Sequence, residues 1–506
     1  MFVRKKHNKS GTVSVQIIQK KDRINKVVKS IGSSSDPTVI EKLIKEAHNQ
    51  KNQILGQEEM NFNQILEDEI IDIFYNNIDK IELVGPELLL GKLFDEIGFN
   101  EIKDELFRHL VIARLTYPAS KLKTTDYLYK YKGMVIDVER IYRYLDKLQS
   151  KQKERVQQIS YKHTCKALNS DISVVFYDVT TLYFETDKQD DLRKAGFSKD
   201  GKHKNPQIVL GLLVSVDGYP IAYEIFEGNK YEGHTLIPVI ESFKSKYKIN
   251  NLVVVADSGL LSKKNINELK GLGYKYILGG RLKNESQNIR AQILRLSLSN
   301  GECTEIARGR NTRLVVSYSD KRAKKDNENR KKGIIKLERA ISQGKLTKSN
   351  INNRGYNKYL KMDGEIKISI DYKKLEEEIK WDGLKGYITN TRLSRDDVIK
   401  QYGNLWKIEK AFRISKTDLR IRPIYHRLKR RIEAHICIAF CANKIYKELE
   451  RQLKLVNENL SPEKAIDIAK TIYKITIISP YSQRTEKRLI LKNPEQINLL
   501  KIFNIA

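Results

Sequence analysis

Between Phe2 and Gly32, short β-branched runs alternate with basic residues. Two of them, Thr12 to Ile18 and Asn25 to Ile31, predict strands. The turn-forming cluster Gly32-Ser33-Ser34-Ser35-Asp36-Pro37 closes this stretch, which reads as a small basic β module over residues 1–37. From Thr38 to Lys166 the apolar period lengthens. Leu88, Leu89, Leu90, Leu93 and Phe94, then Leu106, Leu110, Val111, Ile112 and Leu115, recur at spacings of three and four and predict a helical region over 38–166. Within it, Pro118-Ala119-Ser120-Lys121-Leu122-Lys123 offers a helix start with lysines in its first turn; such a helix is either a DNA-binding element or a solvated face.

The middle of the chain changes character. Val174 to Tyr177 is a strand-like run reaching Asp178, and Val253 to Ala256 is another reaching Asp257. Between them, Gln207 to Val216, a turn at Asp217-Gly218 and Tyr219 to Phe226 predict a hairpin, followed by a helix over Thr235 to Tyr247. A helix over Ser262 to Leu272 and a strand over Tyr274 to Leu278 come next. Strand, strand, strand, helix, strand, helix, strand is the order of an α/β ribonuclease H-like core, expected over 167–282 and resumed over 383–430. Residues 283–382 read as a basic, strand-containing insertion, with strands at Thr312 to Tyr318 and Glu365 to Tyr372. Its Ser319 to Lys336 stretch carries Lys321, Arg322, Lys324, Lys325, Arg330, Lys331, Lys332 and Lys336. This is a solvated helix by itself, but here it interrupts the core where it could lie over bound DNA. Residues 431–506 read as a C-terminal helical region.

Charge sharpens the picture. Lys+Arg of 94 against Asp+Glu of 63 gives a formal net charge of +31, which points to a polyanionic partner. Cys165, Cys303, Cys437 and Cys441 include no C-x-x-C pair, and no Cys/His set has zinc spacing. Neither an apolar leader nor a membrane-length apolar run is present, so a soluble cytoplasmic protein with no membrane partner is expected. Phosphate-loop and G-x-S-x-G motifs are also missing.

Asp178 and Asp257 lie 79 residues apart, a spacing that accommodates the hairpin and helix and lets adjacent parallel strands bring both carboxylates to one edge. The third acid is Glu409, in Gln401 to Lys416. At about 100° per residue, one continuous helix places Tyr402, Glu409, Arg413 and Lys416 within an arc of roughly 60°, with Leu405, Ile408, Ala411 and Phe412 beside it. An i,i+4 ion pair between Glu409 and Arg413 is the plainer account of the same spacing. Three acids from separate elements are what a pair of hard divalent ions beside a phosphodiester requires.

Tyr402, Glu409 and Lys416 resemble the tyrosine-arginine-glutamate-lysine signature of bacterial insertion-sequence transposases of the DDE class, with Leu405 standing where that signature has arginine. Tyr177-Asp178-Val179-Thr180-Thr181-Leu182-Tyr183-Phe184, Gly196-Phe197-Ser198-Lys199-Asp200-Gly201 and Arg422-Pro423-Ile424-Tyr425-His426 are similar to the same group. The resemblance implies Asp178, Asp257 and Glu409 as catalytic ligands of Mg2+, with Mn2+ as a substitute. It implies Tyr402 and Lys416 as holders of the DNA end, with Lys407 or Arg413 in place of the missing arginine. It further implies double-stranded DNA partners, namely the terminal inverted repeats and the target, a homodimer on DNA, and a nucleoid-associated bacterial location. Two other readings stay open: a nuclease with the same metal chemistry but no strand transfer, and a basic DNA-binding protein whose acids are structural.

Overall fold

The computed structural model describes residues 1–21, 24–55, 62–148, 152–169, 172–198, 201–249, 252–260, 262–352, 355–363, 367–456, 459–479 and 482–505. Two compact units are distinguished, Met1–Ile81 with Ile475–Arg488 and Glu82–Lys474 with Leu489–Ala506.

In the first unit, β1 (Phe2–His7), β2 (Val13–Lys21) and β3 (Ile24–Ser34) form an antiparallel sheet in that order. Val15 and Ile17, two residues apart and hence on one face, are fully buried with Ala47 of helix α1 (Pro37–Ile54). Asp36 caps α1 through a 2.7 Å bond from Thr38 N, and Pro37 sits in the first turn, where no backbone donor is needed. The cluster expected to close the module at Pro37 therefore starts the helix that covers the sheet.

The second unit begins with mostly helical chain, including α2 (Glu105–Thr116) and α3 (Lys121–Lys132). Its centre is one eight-stranded mixed sheet: β4 (Val174–Tyr183), β5 (Gln207–Ser215), β6 (Pro220–Glu227), β7 (Val253–Ala256), β8 (Lys275–Gly280), β9 (Cys303–Ala307), β10 (Arg313–Tyr318) and β11 (Leu384–Thr389). Their order is β9-β10-β11-β8-β7-β4-β5-β6. Within this sheet β4–β7 and β7–β8 pair in parallel, whereas β4–β5 and β8–β11 pair antiparallel. Along β4, Val175, Tyr177 and Val179 enter one core while Phe176 enters the other, the period of two that a strand covered on both faces must show. One face is packed by α4 (Leu236–Tyr247) and α5 (Lys263–Gly271).

The expected insertion is only partly separate from the sheet. Its strands β9 and β10 extend the sheet through β11, whereas α6 (Asp320–Ser342), which carries the basic run, packs a small core around Leu337, Tyr359, Leu360 and Ile370. Of the strand expected over Glu365 to Tyr372, Lys367–Ile370 is seen, and residues 364–366 lie outside the described residues. Lys199 and Asp200 of the Gly196 motif lie outside them as well. The other face of the sheet is covered by α7 (Arg395–Gly403), α8 (Trp406–Thr417) and the 27-residue α9 (Lys429–Leu455), most of which is buried. Strands at Ile78–Leu83, Tyr473–Ile478 and Thr485–Ile490 correct the all-helical expectation for 38–166 and 431–506. In the second of these, Ile475-Thr476-Ile477-Ile478 is a β-branched run, stiff at χ1 and better suited to a pleated surface.

Candidate active site

Tyr177 of β4 pairs with Ala256 of β7 in parallel register, and the next residue of each chain segment is an aspartate. Asp178 is mid-strand and not at a strand end as expected, because Asp178 to Tyr183 continue to pair with Leu212 to Gln207 of β5. Asp257 does end its strand, so the two acids meet where the parallel pairing stops. Glu409 comes from the first turn of α8, whose Ile408, Ala411 and Phe412 are buried against the sheet side. All three acids line one cleft of about 450 Å³, together with Tyr402, Arg322 and Lys385. Asp257 and Glu409 are exposed and Asp178 half-buried.

The helical projection holds only in part. Gly403, a poor helix former, ends α7, and the backbone tightens to i−3 bonds at Asn404, Leu405, Lys407 and Ile408 before α8 runs on. Tyr402 and Glu409 thus belong to different helices. Tyr402 still reaches the cleft: its hydroxyl donates to Asp257 Oδ1 at 2.9 Å, and Ser258 N donates to the same oxygen at 2.6 Å. Neither bond uses Oδ2. The tyrosine ring lies 5.0 Å from that of Tyr387, with Lys385 Nζ 4.7 Å from its centroid. Gly279 leaves the room, since a Cβ there would sit 2.4 Å from the Tyr402 hydroxyl oxygen. Burial, then the charge and hydrogen bond of Asp257, raise the Tyr402 pKa, so the hydroxyl remains a donor. Burial and Arg322 lower that of Lys385, while Asp257 and Glu409 hold it up.

The remaining predicted residues fall elsewhere. Lys407 Nζ donates to Val216 O at 2.5 Å, at the β5–β6 turn. Arg413 is exposed and Lys416 half-buried on α8, and neither lines the cleft. Leu405 lines it as a nearly buried apolar side chain. In the sequence Arg322 is one of eight clustered cations and Lys385 belongs to no motif, so neither is marked as a cleft residue there.

An all-oxygen donor set with one aspartate oxygen outside both of its hydrogen bonds suits a hard divalent cation. Among the described residues, no three His, Cys, Asp or Glu side chains are close enough to hold a single ion. Also among the described residues, no helix is long and apolar enough to cross a membrane.

Residues 169–443, more than half of the chain, match the family model of the transposase DDE domain. No curated protein matches. Among solved structures, the piggyBac transposase synaptic complex with hairpin DNA is 10% identical, with a TM-score of 0.38, covering 72% of this chain and 69% of that one. The Mos1 transposase paired-end complex with the left transposon end is 14% identical, with a TM-score of 0.16, covering 31% of this chain and 53% of that one. At such scores these likenesses add no weight to the family match.

Proposed function

Because the chain belongs to the transposase DDE domain family, we propose that it cuts DNA at insertion-sequence ends and joins the freed 3′-hydroxyl to target DNA. The sheet order β8-β7-β4-β5-β6, with three parallel strands and an antiparallel hairpin, supports a ribonuclease H-like core. Asp178, Asp257 and Glu409 are the metal ligands in this reading, with Mg2+ as the resident ion and Mn2+ as a substitute. Such ions, when bound, activate the attacking oxygen and stabilise the leaving one.

The chain's own side chains supply the rest. Tyr402 fixes the Asp257 carboxylate through Oδ1 and keeps Oδ2 turned to other partners. Arg322 and Lys385 bring positive charge to the cleft wall, where a phosphodiester would otherwise meet three carboxylates. Arg322 thereby supplies the guanidinium that Leu405 lacks, a part that Lys407, bound to a backbone carbonyl, is not placed to play. Arg413 and Lys416, further along α8, hold the DNA end by its phosphates. The partners are double-stranded DNA, as terminal repeats and as target, and a second copy of the chain that brings the other end.

The observation that carries this reading is the convergence of three acids from separate elements on one cleft within the family-matched region. Asp178→Ala, Asp257→Ala and Glu409→Ala, each tested on labelled terminal duplexes, are expected to abolish cutting while leaving DNA binding largely intact. Unimpaired cutting by any one removes that residue from the set. Product joined to target DNA separates a transposase from a nuclease, and a wild-type protein that binds but never cuts points to a DNA-binding protein.

A further inference from the structure

A second cavity, of about 240 Å³, opens at the start of α3 beside the loop between α8 and α9. Arg114, Lys121, Arg420, Arg422, His426 and His435 line it, and among the described residues no carboxylate does. Arg114 is 6% exposed and Lys121 5%. Among the described residues the Arg114 guanidinium makes one long bond, from Nη1 to Leu419 O at 3.5 Å, and the Lys121 ammonium has no hydrogen-bond or ion-pair partner. Burial draws Arg114 down to about 10, and burial with the charge of Arg114 draws Lys121 well below its ordinary value. Asp146, the acid whose charge reaches His426, is already committed to Arg430 and Arg431 at 2.8 Å.

Two adjacent buried cations without a counter-ion are costly, and side chains of this kind are normally paired. The twelve-residue α3 adds to the field. Pro118, Ala119 and Ser120 lead into it at the cavity wall, and its N-terminus presents backbone donors and the positive end of the helix dipole. Everything around this cavity favours negative charge.

We propose that the cavity is a phosphate-binding site, separate from the catalytic cleft, in which Arg114 and Lys121 hold one phosphate group. The group belongs either to the DNA backbone or to a free phosphate. The loop carrying Arg420 and Arg422 is tied to the sheet, since Ile424 N donates to Tyr183 O at 3.1 Å at the far end of β4. Tyr183 is five residues beyond Asp178 on that strand, or about 16 Å at ~3.3 Å per residue. That span equals roughly five base pairs of duplex at ~3.4 Å each. Tyr425, 72% exposed at the cavity wall, offers a ring to a neighbouring sugar or base. The DNA source rests on the transposase reading, whereas the phosphate site itself does not.

The test is thermal unfolding of the full-length protein in inorganic phosphate against chloride at equal ionic strength, with duplex-DNA binding measured across a salt series. Phosphate is expected to raise the Tm of wild type by several degrees and that of Lys121→Met hardly at all. In chloride, Lys121→Met should melt at or above the wild-type temperature, because a buried polar group without a partner is gone. Arg420→Ala, an exposed change that leaves the core intact, should weaken the phosphate effect partially and guards against misfolding of the buried variant. If the source is DNA, the slope of log K against log salt falls by about 1 in Lys121→Met. An unchanged slope with the Tm effect intact assigns the site to free phosphate. Glu409→Gln should lose cutting and keep the phosphate response, so failure of the catalytic reading is seen independently. Equal phosphate responses in wild type, Lys121→Met and Arg420→Ala, or no response in any, overturn the proposal.

Discussion

Replacing Tyr402 by Phe removes one oxygen and leaves the ring between Tyr387 and Lys385. What is lost is the 2.9 Å hydrogen bond to Asp257 Oδ1. Hydrogen bonds to a charged group contribute about 1.5–3 kcal/mol. Asp257 is exposed, and water can replace part of the bond, so about 1–2 kcal/mol is the reasonable loss. If the hydroxyl serves to orient the carboxylate, this appears as a fall of about five- to thirty-fold in the rate of end cutting. The assay is single-turnover cleavage of a labelled terminal duplex at saturating protein, with the Kd measured separately by anisotropy. Orientation of Asp257 predicts a slower cleavage rate at nearly constant Kd. A weakened Kd with an unaltered single-turnover rate would refute it and return Tyr402 to direct contact with DNA phosphate.

Other expectations follow from the same geometry. Gly279→Ala drives a methyl to 2.4 Å from the Tyr402 hydroxyl oxygen, so it should cost about 1–3 kcal/mol in stability and slow cutting at least as much as Tyr402→Phe. Denaturant melts of the double variant should recover much of the stability, and no recovery would show that the clash lies elsewhere. Arg322→Ala should weaken duplex binding for all sequences and lower the salt slope by about 1; an unchanged slope removes Arg322 from the DNA-facing wall. For pH, burial and Lys444 hold the buried His163 down to about 4, against the opposing charge of Glu448. A folded pKa below the unfolded ~6.5 means that the full contribution is present above pH ~6.5 and is lost as pH falls toward ~4, up to about 3 kcal/mol. Melts from pH 7 to 4.5 should therefore be steeper for wild type than for His163→Gln, and parallel curves would contradict this.

Much of the central sheet was legible because local signals and tertiary structure agree there. The hairpin Gln207–Ser215 and Pro220–Glu227 follows from strand propensity broken by Asp217-Gly218, and the spacing between Asp178 and Asp257 leaves room for it. The helix break after Tyr402 was missed because a helical wheel assumes continuity, although Gly403-Asn404 marked the weak point. Tyr402 reached the cleft by another route, through a 2.9 Å bond to a residue 145 positions away. Arg322 and Lys385 stayed hidden for a different reason: among 94 lysines and arginines, nothing local distinguishes the two that nonlocal strand pairing and the docking of α6 bring to the acids. The Gly32 to Pro37 cluster both ends the strands and starts a helix because turn residues and helix caps share the same chemistry, and it is the burial of Ala47 with Val15 and Ile17 that joins that helix to the sheet.

The most direct check on Asp178, Asp257 and Glu409 as the divalent-ion ligands of the cleft is calorimetric titration of Mn2+ into protein bound to a terminal duplex, comparing wild type with Asp178→Asn, Asp257→Asn and Glu409→Gln. Saturable binding in wild type that is lost or greatly weakened in each variant, with the duplex still bound, is the predicted result. Mn2+ binding as tight in the three variants as in wild type contradicts the account.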